Sequence, residues 1–221
     1  MAPRPTTVSS SPEERAEHRR RLVDREAHRL HDAYDLAWGE DYRVYHWDVD
    51  ELPHVDVFYR HRDHGETLLA TAGMSTRELP PGAERRVELY LRVRPDLAAE
   101  DDRALATGLR VLAMSPFRGD FALGAGHTVC DPTWARTGRE ALLGNWLLAA
   151  PDRALLPWID VLERELDGAR LLEAVPLTLA EGRMAQEHGA APVLELVRGV
   201  HGPLAWPGRP SVAQSDRQSD L

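Results

Sequence analysis

The sequence predicts an α+β (mixed α/β) fold, a largely antiparallel sheet packed against helices. Three observations carry that expectation. Between residues 42 and 93 apolar side chains recur at every second position in several short runs, the period of a strand with one buried face. Segments before and after that region carry apolar residues at helical spacing and open on capping residues. The order of these segments (helix, strands, helix, strands, helices) lacks the regular strand–helix alternation of an all-parallel sheet.

Ser11-Pro12-Glu13-Glu14 is a helix start. Ser11 suits the N-cap, Pro12 the first helical position, and Glu14 the return bond of a capping box. The helix is expected to run to about Trp38, with Gly39 ending it. Leu22, Ala27, Leu30, Ala33, Tyr34 and Ala37 form its apolar stripe. Tyr42 to Val49 alternates as a strand, and Val55, Val57 and Tyr59 form one face of the next. Thr67 to Ala72 is almost wholly apolar and is expected in the sheet centre. Val87, Leu89, Leu91 and Val93 alternate with Glu88, Tyr90 and Arg92, a half-buried strand. Helices are expected to cover one side of the sheet.

Leu97 to about Met114 reads as a helix, broken by Pro116 and Gly119, and 120–139 reads as loop. The apolar runs 141–149 and 155–162 fit helix or strand equally well. Ala169 to Val175 reads as a strand. Thr178-Leu179-Ala180-Glu181 is a second capping box opening a helix to His188, and Pro192 to Arg198 is a short last helix. The domain organisation follows: a disordered N-terminus over 1–10, a helix over 11–39, one α+β domain over 40–201, and a loose Pro/Gly-rich then polar tail over 202–221.

Composition narrows the function classes. No run of about 18 apolar residues offers a membrane helix, and Met1-Ala2-Pro3-Arg4-Pro5-Thr6 lacks the apolar core of a signal peptide. A cytoplasmic protein is expected. The single cysteine, Cys130, excludes an intrachain disulfide framework and a multi-cysteine zinc site. All 27 basic residues are arginine and the net charge is −9. Such a surface suits a basic protein partner better than nucleic acid, and no basic, aromatic-studded face appears.

Each catalytic pattern in the sequence has a simpler structural explanation. His54-x-Asp56 on one strand face, with His127, His188 or His201 as third ligand, fits a two-histidine, one-carboxylate metal site on paper. A polar strand face near a loop explains the pair more simply. His61, Asp63 and His64 lack metal-ligand spacing and suit an exposed hairpin end around Gly65. His127, Cys130 and Asp131 have no nucleophile elbow around them, and Cys130 fits a partly buried structural thiol. The pairs Glu84/Glu88 and Glu163/Glu165 fit solvated faces. Gly124-Ala125-Gly126 lacks the lysine and hydroxyl of a phosphate loop. No catalytic residue, cofactor or metal is expected.

The stretch from Thr67 to Val93 is distinctive. Two strands are joined not by a tight turn but by Gly73, Met74, Ser75, Thr76, Arg77, Glu78 and then Pro80-Pro81. Gly73 suits a positive φ. Ser75 and Glu78 can cap one helical turn that the prolines keep from growing. The stretch reads as a shaped ledge between strands.

His54-Val55-Asp56-Val57, Thr71-Ala72-Gly73-Met74-Ser75 and Glu88-Leu89-Tyr90-Leu91, in that order, resemble the signature segments of the suppressor of fused domain family. Val175-Pro176-Leu177-Thr178 with Glu181, and Gly126-His127-Thr128, match later features of that family, so the resemblance spans about 40–200. It implies a mixed α/β domain without enzymatic activity that works by protein–protein contact. Animal members hold an extended transcription-factor peptide, and many bacterial members look like immunity proteins that neutralise a toxin. The sequence ends soon after the shared domain, without the second domain that closes over the peptide in animal members.

The functional expectation is a non-catalytic protein-interaction domain, an immunity or antitoxin-type protein for a basic, nuclease-like toxin domain. A peptide-binding adaptor and a metal-dependent enzyme using His54 and Asp56 are the alternatives. The candidate binding surface comprises Asp56, Gly73, Met74, Ser75, Thr76, Arg77, Glu88 and Tyr90.

Overall fold

A computed structural model describes residues 28–39, 41–47, 53–62, 65–82, 84–95, 97, 99–130, 145–206 and 208–213. The disordered N-terminus expected over 1–10, the capping box at Ser11 and the first half of the N-terminal helix lie outside the described residues. Its second half is α1 (28–38). Gly39 ends it at φ +77°, its N–H donating to Asp35 O at 2.8 Å, the left-handed residue that commonly closes a helix.

The strands are β1 (Arg43–Tyr45), β2 (Asp56–Arg62), β3 (Glu66–Ala72), β4 (Val87–Val93), β5 (Thr128–Cys130), β6 (Asn145–Ala149) and β7 (Arg170–Leu177). The remaining helices are α2 (Ala99–Gly119), α3 (Trp158–Glu165), α4 (Leu179–His188) and α5 (Ala190–His201). The seven strands form one sheet in the order β1-β2-β3-β4-β7-β6-β5. Neighbours are antiparallel except β4 and β7, which run parallel with Val87 opposite Arg170. Parallel partners need a long crossover, and here it contains α2, β5, β6 and α3. β3 sits inside the sheet with all seven residues buried, as its apolar sequence predicts.

Helices cover both faces, not one. On the first face Val57, Tyr59, Leu69, Val87, Leu89 and Leu91 pack against Leu105, Leu109 and Leu112 of α2. On the second, Phe58, Leu68, Ala70 and Tyr90 pack against Leu30, Tyr34 and Trp38 of α1 and Ile159 and Leu162 of α3. Farther along that second face Leu147, Ala149 and Leu177 meet Ala185, Val193 and Val197 of α4 and α5. Period-two alternation identified the first face correctly. It missed the second because its polar members are buried and hydrogen-bonded rather than solvated. Tyr34 shows the device: its fully buried hydroxyl donates to Thr71 O at 2.6 Å, and burial pushes the phenol well above its usual range.

Three elements differ from expectation. α2 runs through Pro116 to Gly119 instead of breaking. Proline has no N–H for Leu112 O, and the Ser115 hydroxyl donates to that carbonyl at 2.6 Å instead. The run 155–162 resolves into α3, while 145–149 is β6, central enough to be wholly buried. Residues 128–130, expected as loop, form the edge strand β5 on β6. The last helix begins at Ala190, two residues before the proline that was expected to open it.

The capping box of α4 is complete, with Thr178 and Glu181 bonded reciprocally. Glu181 also anchors part of the segment read from composition as loose. Arg209 donates to Glu181 Oε1 at 2.7 Å and to Pro176 O at 2.9 Å, and the Val212 N–H donates to Glu181 Oε1 at 2.9 Å. Arg209 and Val212 are buried, and Ala205 bridges to Val93 of β4. Composition is blind to this because the anchor is one ion pair formed with a distant helix.

Candidate functional site

The ledge begins where β3 ends. Gly73 adopts φ +122°, and a Cβ there would stand 1.9 Å from the His54 carbonyl oxygen. Glycine is therefore demanded twice, by a backbone conformation that L side chains resist and by close approach to β2's leading residues. A single 3₁₀ turn, Met74–Thr76, follows. The Thr76 N–H closes it on Gly73 O at 3.2 Å, and the Thr76 hydroxyl donates to the same carbonyl at 2.7 Å. Ser75 and Glu78 do not form the side-chain cap that their spacing suggests. The Ser75 N–H is used instead, and Glu78 is ion-paired with Arg85.

Glu88, opposite the ledge on β4, holds it. Its side chain is fully buried. Oε1 accepts from Gly73 N–H at 3.0 Å and Ser75 N–H at 2.9 Å, and Oε2 lies 2.6 Å from the Thr71 hydroxyl. Thr71 Oγ1 in turn accepts from Leu89 N–H at 2.8 Å. Burial raises the Glu88 carboxyl above the usual carboxylate range, and the bonds from Thr71, Ser75 and Gly73 offset only part of that rise. From outside, Arg86 Nε donates to Ser75 O at 2.6 Å. The 73–75 backbone is thus gripped from both sides, and Met74 is driven into the core beside α2.

The eight candidate surface residues consequently divide. Gly73, Met74, Ser75, Glu88 and Tyr90 are buried. Glu88 is not a solvated strand position, and Tyr90 packs edge-on against Trp158 with its hydroxyl 3.4 Å from Glu173. Arg77 is exposed, Thr76 is half-buried, and Asp56 keeps 14% of its side chain accessible. Arg77 leans over the Phe117 ring of α2, 5.9 Å from its centre. Beneath this exposed group Gly73 and Ser75 are bonded to Glu88, whereas Tyr90 lies with Trp158 and Glu173.

Of the other carboxylates considered for acid–base chemistry, Glu163 and Glu165 have partners, Glu165 in Arg164 at 3.1 Å. Glu163 receives Arg153 at 2.7 Å and the Leu171 N–H at 2.9 Å, tying α3 to β7. Glu173 is buried beneath Arg198, 2.6 Å away. Cys130 is partly buried and burial raises its thiol pKa, which disfavours the reactive thiolate. Asp131, Asp63 and His64 lie outside the described residues.

Beside the ledge stands a cluster that the motif reading half anticipated. His54, just before β2, and Asp56, its first residue, do come together, but the third candidate ligand brought to them is His46, not His127, His188 or His201. The closest atoms are His46 Nδ1 to Asp56 Oδ1 at 3.1 Å, His54 Nε2 to Asp56 Oδ1 at 3.2 Å, and His54 Nε2 to His46 Nδ1 at 3.4 Å. The signal for His46 lay in strand register. Tyr45 pairs with Val57, so the next antiparallel position sets 46 across from 56, on the same face.

Comparison with known proteins gives consistent results. Residues 51–209 match the family profile described as suppressor of fused protein (SUFU). Among solved structures, a suppressor of fused homologue from Neisseria gonorrhoeae superposes with a TM-score of 0.58 at 18% identity, covering 86% of this chain and 97% of that one. The structure of a Sufu–Fu complex superposes with a TM-score of 0.55 at 12% identity, covering 90% and 94%. No curated protein matches the chain.

Proposed function

Because the chain belongs to the suppressor of fused protein family, whose profile spans most of its length, we propose that it is a non-catalytic protein-binding domain whose partner docks on the ledge at Thr76 and Arg77, with Asp56 at its margin. The observation that carries this reading is the Glu88 carboxylate. A fully buried acid that receives two backbone N–H groups holds a short surface turn in one shape. A surface that does not have to be ordered on contact binds at lower entropic cost. One solved protein of this fold is held in a Sufu–Fu complex, which favours a protein partner.

Within that reading, the partner is the basic, nuclease-like toxin domain of an immunity pair. The net charge of −9 favours it, since an acidic surface steers a basic protein and raises its association rate at low salt. No helix among the described residues is long and apolar enough to cross a membrane, in keeping with a cytoplasmic site of action. A second reading has its own support. The outermost strands β1 and β5 have three residues each, and an extended peptide adding to either edge would make the protein a peptide-binding adaptor.

The test is co-expression with the toxin domain encoded beside the gene, followed by calorimetry on the purified pair. Growth rescue is expected, with Arg77→Ala, which removes contact area, and Thr76→Arg, which adds like charge, each weakening binding at least about tenfold, or ~1.4 kcal/mol. Full-strength binding by both variants would remove the ledge from the interface. Absence of rescue by any neighbouring product would remove the immunity role.

A further inference from the structure

We infer that His46, His54 and Asp56 form a binding site for a divalent transition-metal ion of the zinc type, clamping the end of β1 to the start of β2. The three ligand atoms lie within 4.8 Å of one another, and their closest separations are 3.1, 3.2 and 3.4 Å. Zinc binds imidazole nitrogen and carboxylate oxygen at about 2.0–2.1 Å, so a tetrahedral shell sets neighbouring ligand atoms about 3.3–3.4 Å apart and an octahedral face about 2.8–3.0 Å apart. The observed triangle spans those edges and is nearly equilateral. Hydrogen bonding alone accounts for it less well. The 3.4 Å between His54 Nε2 and His46 Nδ1 lies beyond the usual range of about 2.7–3.2 Å, and His46 Nδ1 stands at 3.1 Å from both oxygens of Asp56 rather than on one.

The chemistry of the set agrees. Two neutral imidazoles and one carboxylate offer nitrogen and oxygen donors with a single negative charge, which suits a borderline divalent cation better than calcium or magnesium. Two of the ligands are held on a built scaffold. Asp56 opens β2 in register with Ala72, and the neighbouring residue Val55 is fully buried. His54 and Asp56 side chains are 19% and 14% exposed, whereas that of His46 is 60% exposed. The scaffold therefore presents two ligands, and the third closes over them from the edge strand. A bound ion keeps a solvent-reachable coordination position, open to water. β1 has only three residues, so a metal clamp at its end stabilises the edge of the sheet. This inference stands independently of the partner proposed above.

The experiment uses the full chain stripped of metal with a chelator. Co²⁺ is titrated while visible absorption is followed, Zn²⁺ affinity is measured against a chromophoric chelator, and thermal midpoints are recorded with and without Zn²⁺. One equivalent of metal should bind, with intense visible bands from tetrahedral Co²⁺ and a raised midpoint, because binding to the folded state alone stabilises it. His46→Ala, at an exposed position, and Asp56→Asn should each weaken Zn²⁺ by at least about 100-fold, since losing even a supporting group costs about 10–100-fold. His127→Ala and His188→Ala should leave affinity unchanged. Non-saturable binding by the parent chain, or equal affinity in parent, His46→Ala and Asp56→Asn, overturns the site.

Discussion

Replacing Glu88 separates geometry from charge at the ledge. Glu88→Ala deletes the side-chain acceptor of the Gly73 and Ser75 N–H groups and takes a partner from the Thr71 hydroxyl, all of them buried. A buried donor left unsatisfied costs about 1–3 kcal/mol. Water entering the vacated volume recovers part of this, so three donors amount to roughly 3–6 kcal/mol, a large fraction of a typical total of about 5–15 kcal/mol. At about 2–4 °C per kcal/mol for a chain of this size, the thermal midpoint should fall by roughly 6–24 °C. Glu88→Gln keeps one oxygen for both N–H groups and turns an NH₂ towards Thr71 Oγ1, whose own proton can then go to Leu89 O, 3.3 Å away. Its cost at neutral pH should be below about 1 kcal/mol.

The pH dependence carries a sign. Burial raises the folded-state pKa of Glu88 above its ordinary value of 4.5. The folded state then holds this proton more tightly than the unfolded state, so the residue's contribution is fully present below 4.5 and is lost as pH rises through the folded value. Glutamine cannot ionise. The stability difference between Glu88→Gln and the parent should therefore move in favour of glutamine as pH rises from about 4 to 7. Urea unfolding at several pH values measures both effects. The reasoning is refuted if Glu88→Ala is as stable as the parent, or if Glu88→Gln loses as much as Glu88→Ala.

Two further expectations concern the scaffold. Gly73→Ala places a Cβ 1.9 Å from the His54 carbonyl at φ +122°; a loss of at least about 2 kcal/mol is expected, read as a lower urea midpoint, with backbone strain alone supplying about 1–3 kcal/mol. Arg209→Ala leaves Glu181 fully buried without its cation and should cost about 3–5 kcal/mol, whereas Arg209→Met with Glu181→Leu should recover much of it. Burial works to raise the Glu181 pKa, but Arg209 and the N–H groups of Thr178 and Val212 outweigh it, so the net shift is downward from 4.5. That stabilisation is present above 4.5 and lost as pH falls through the folded value. Acid titration of Arg209→Ala should accordingly show a shallower loss of stability than the parent does.

Much of the fold was legible because its signals are local. The strands β2, β3 and β4, the helix α4 with its capping box, and the glycine at the head of the ledge are each specified by residues within a few positions of one another. The candidate site was legible only as a segment. Its residues lie on one segment and its neighbouring strand, yet Met74, Glu88 and Tyr90 are buried, Thr76 is half-buried and Arg77 is exposed. A polar residue at alternate strand positions reads as solvent-facing unless its partners are known. The partners of Glu88 come from the end of β3 and the head of the ledge, and the cation over Glu173 comes from α5.

The sequence by itself determined the α+β class, the central place of β3, the family signature, and the need for glycine at 73, all set by side-chain period, capping chemistry and backbone sterics that act over a few residues. Only the tertiary structure decided that α1, α3, α4 and α5 cover the second face, that α2 continues through Pro116, that Arg209 ties the late segment to Glu181, and that His46 completes the cluster with His54 and Asp56. Each of those depends on strand register or on a contact between distant segments. Their favourable energy exists only once the rest of the chain has folded, so no local pattern has to announce them.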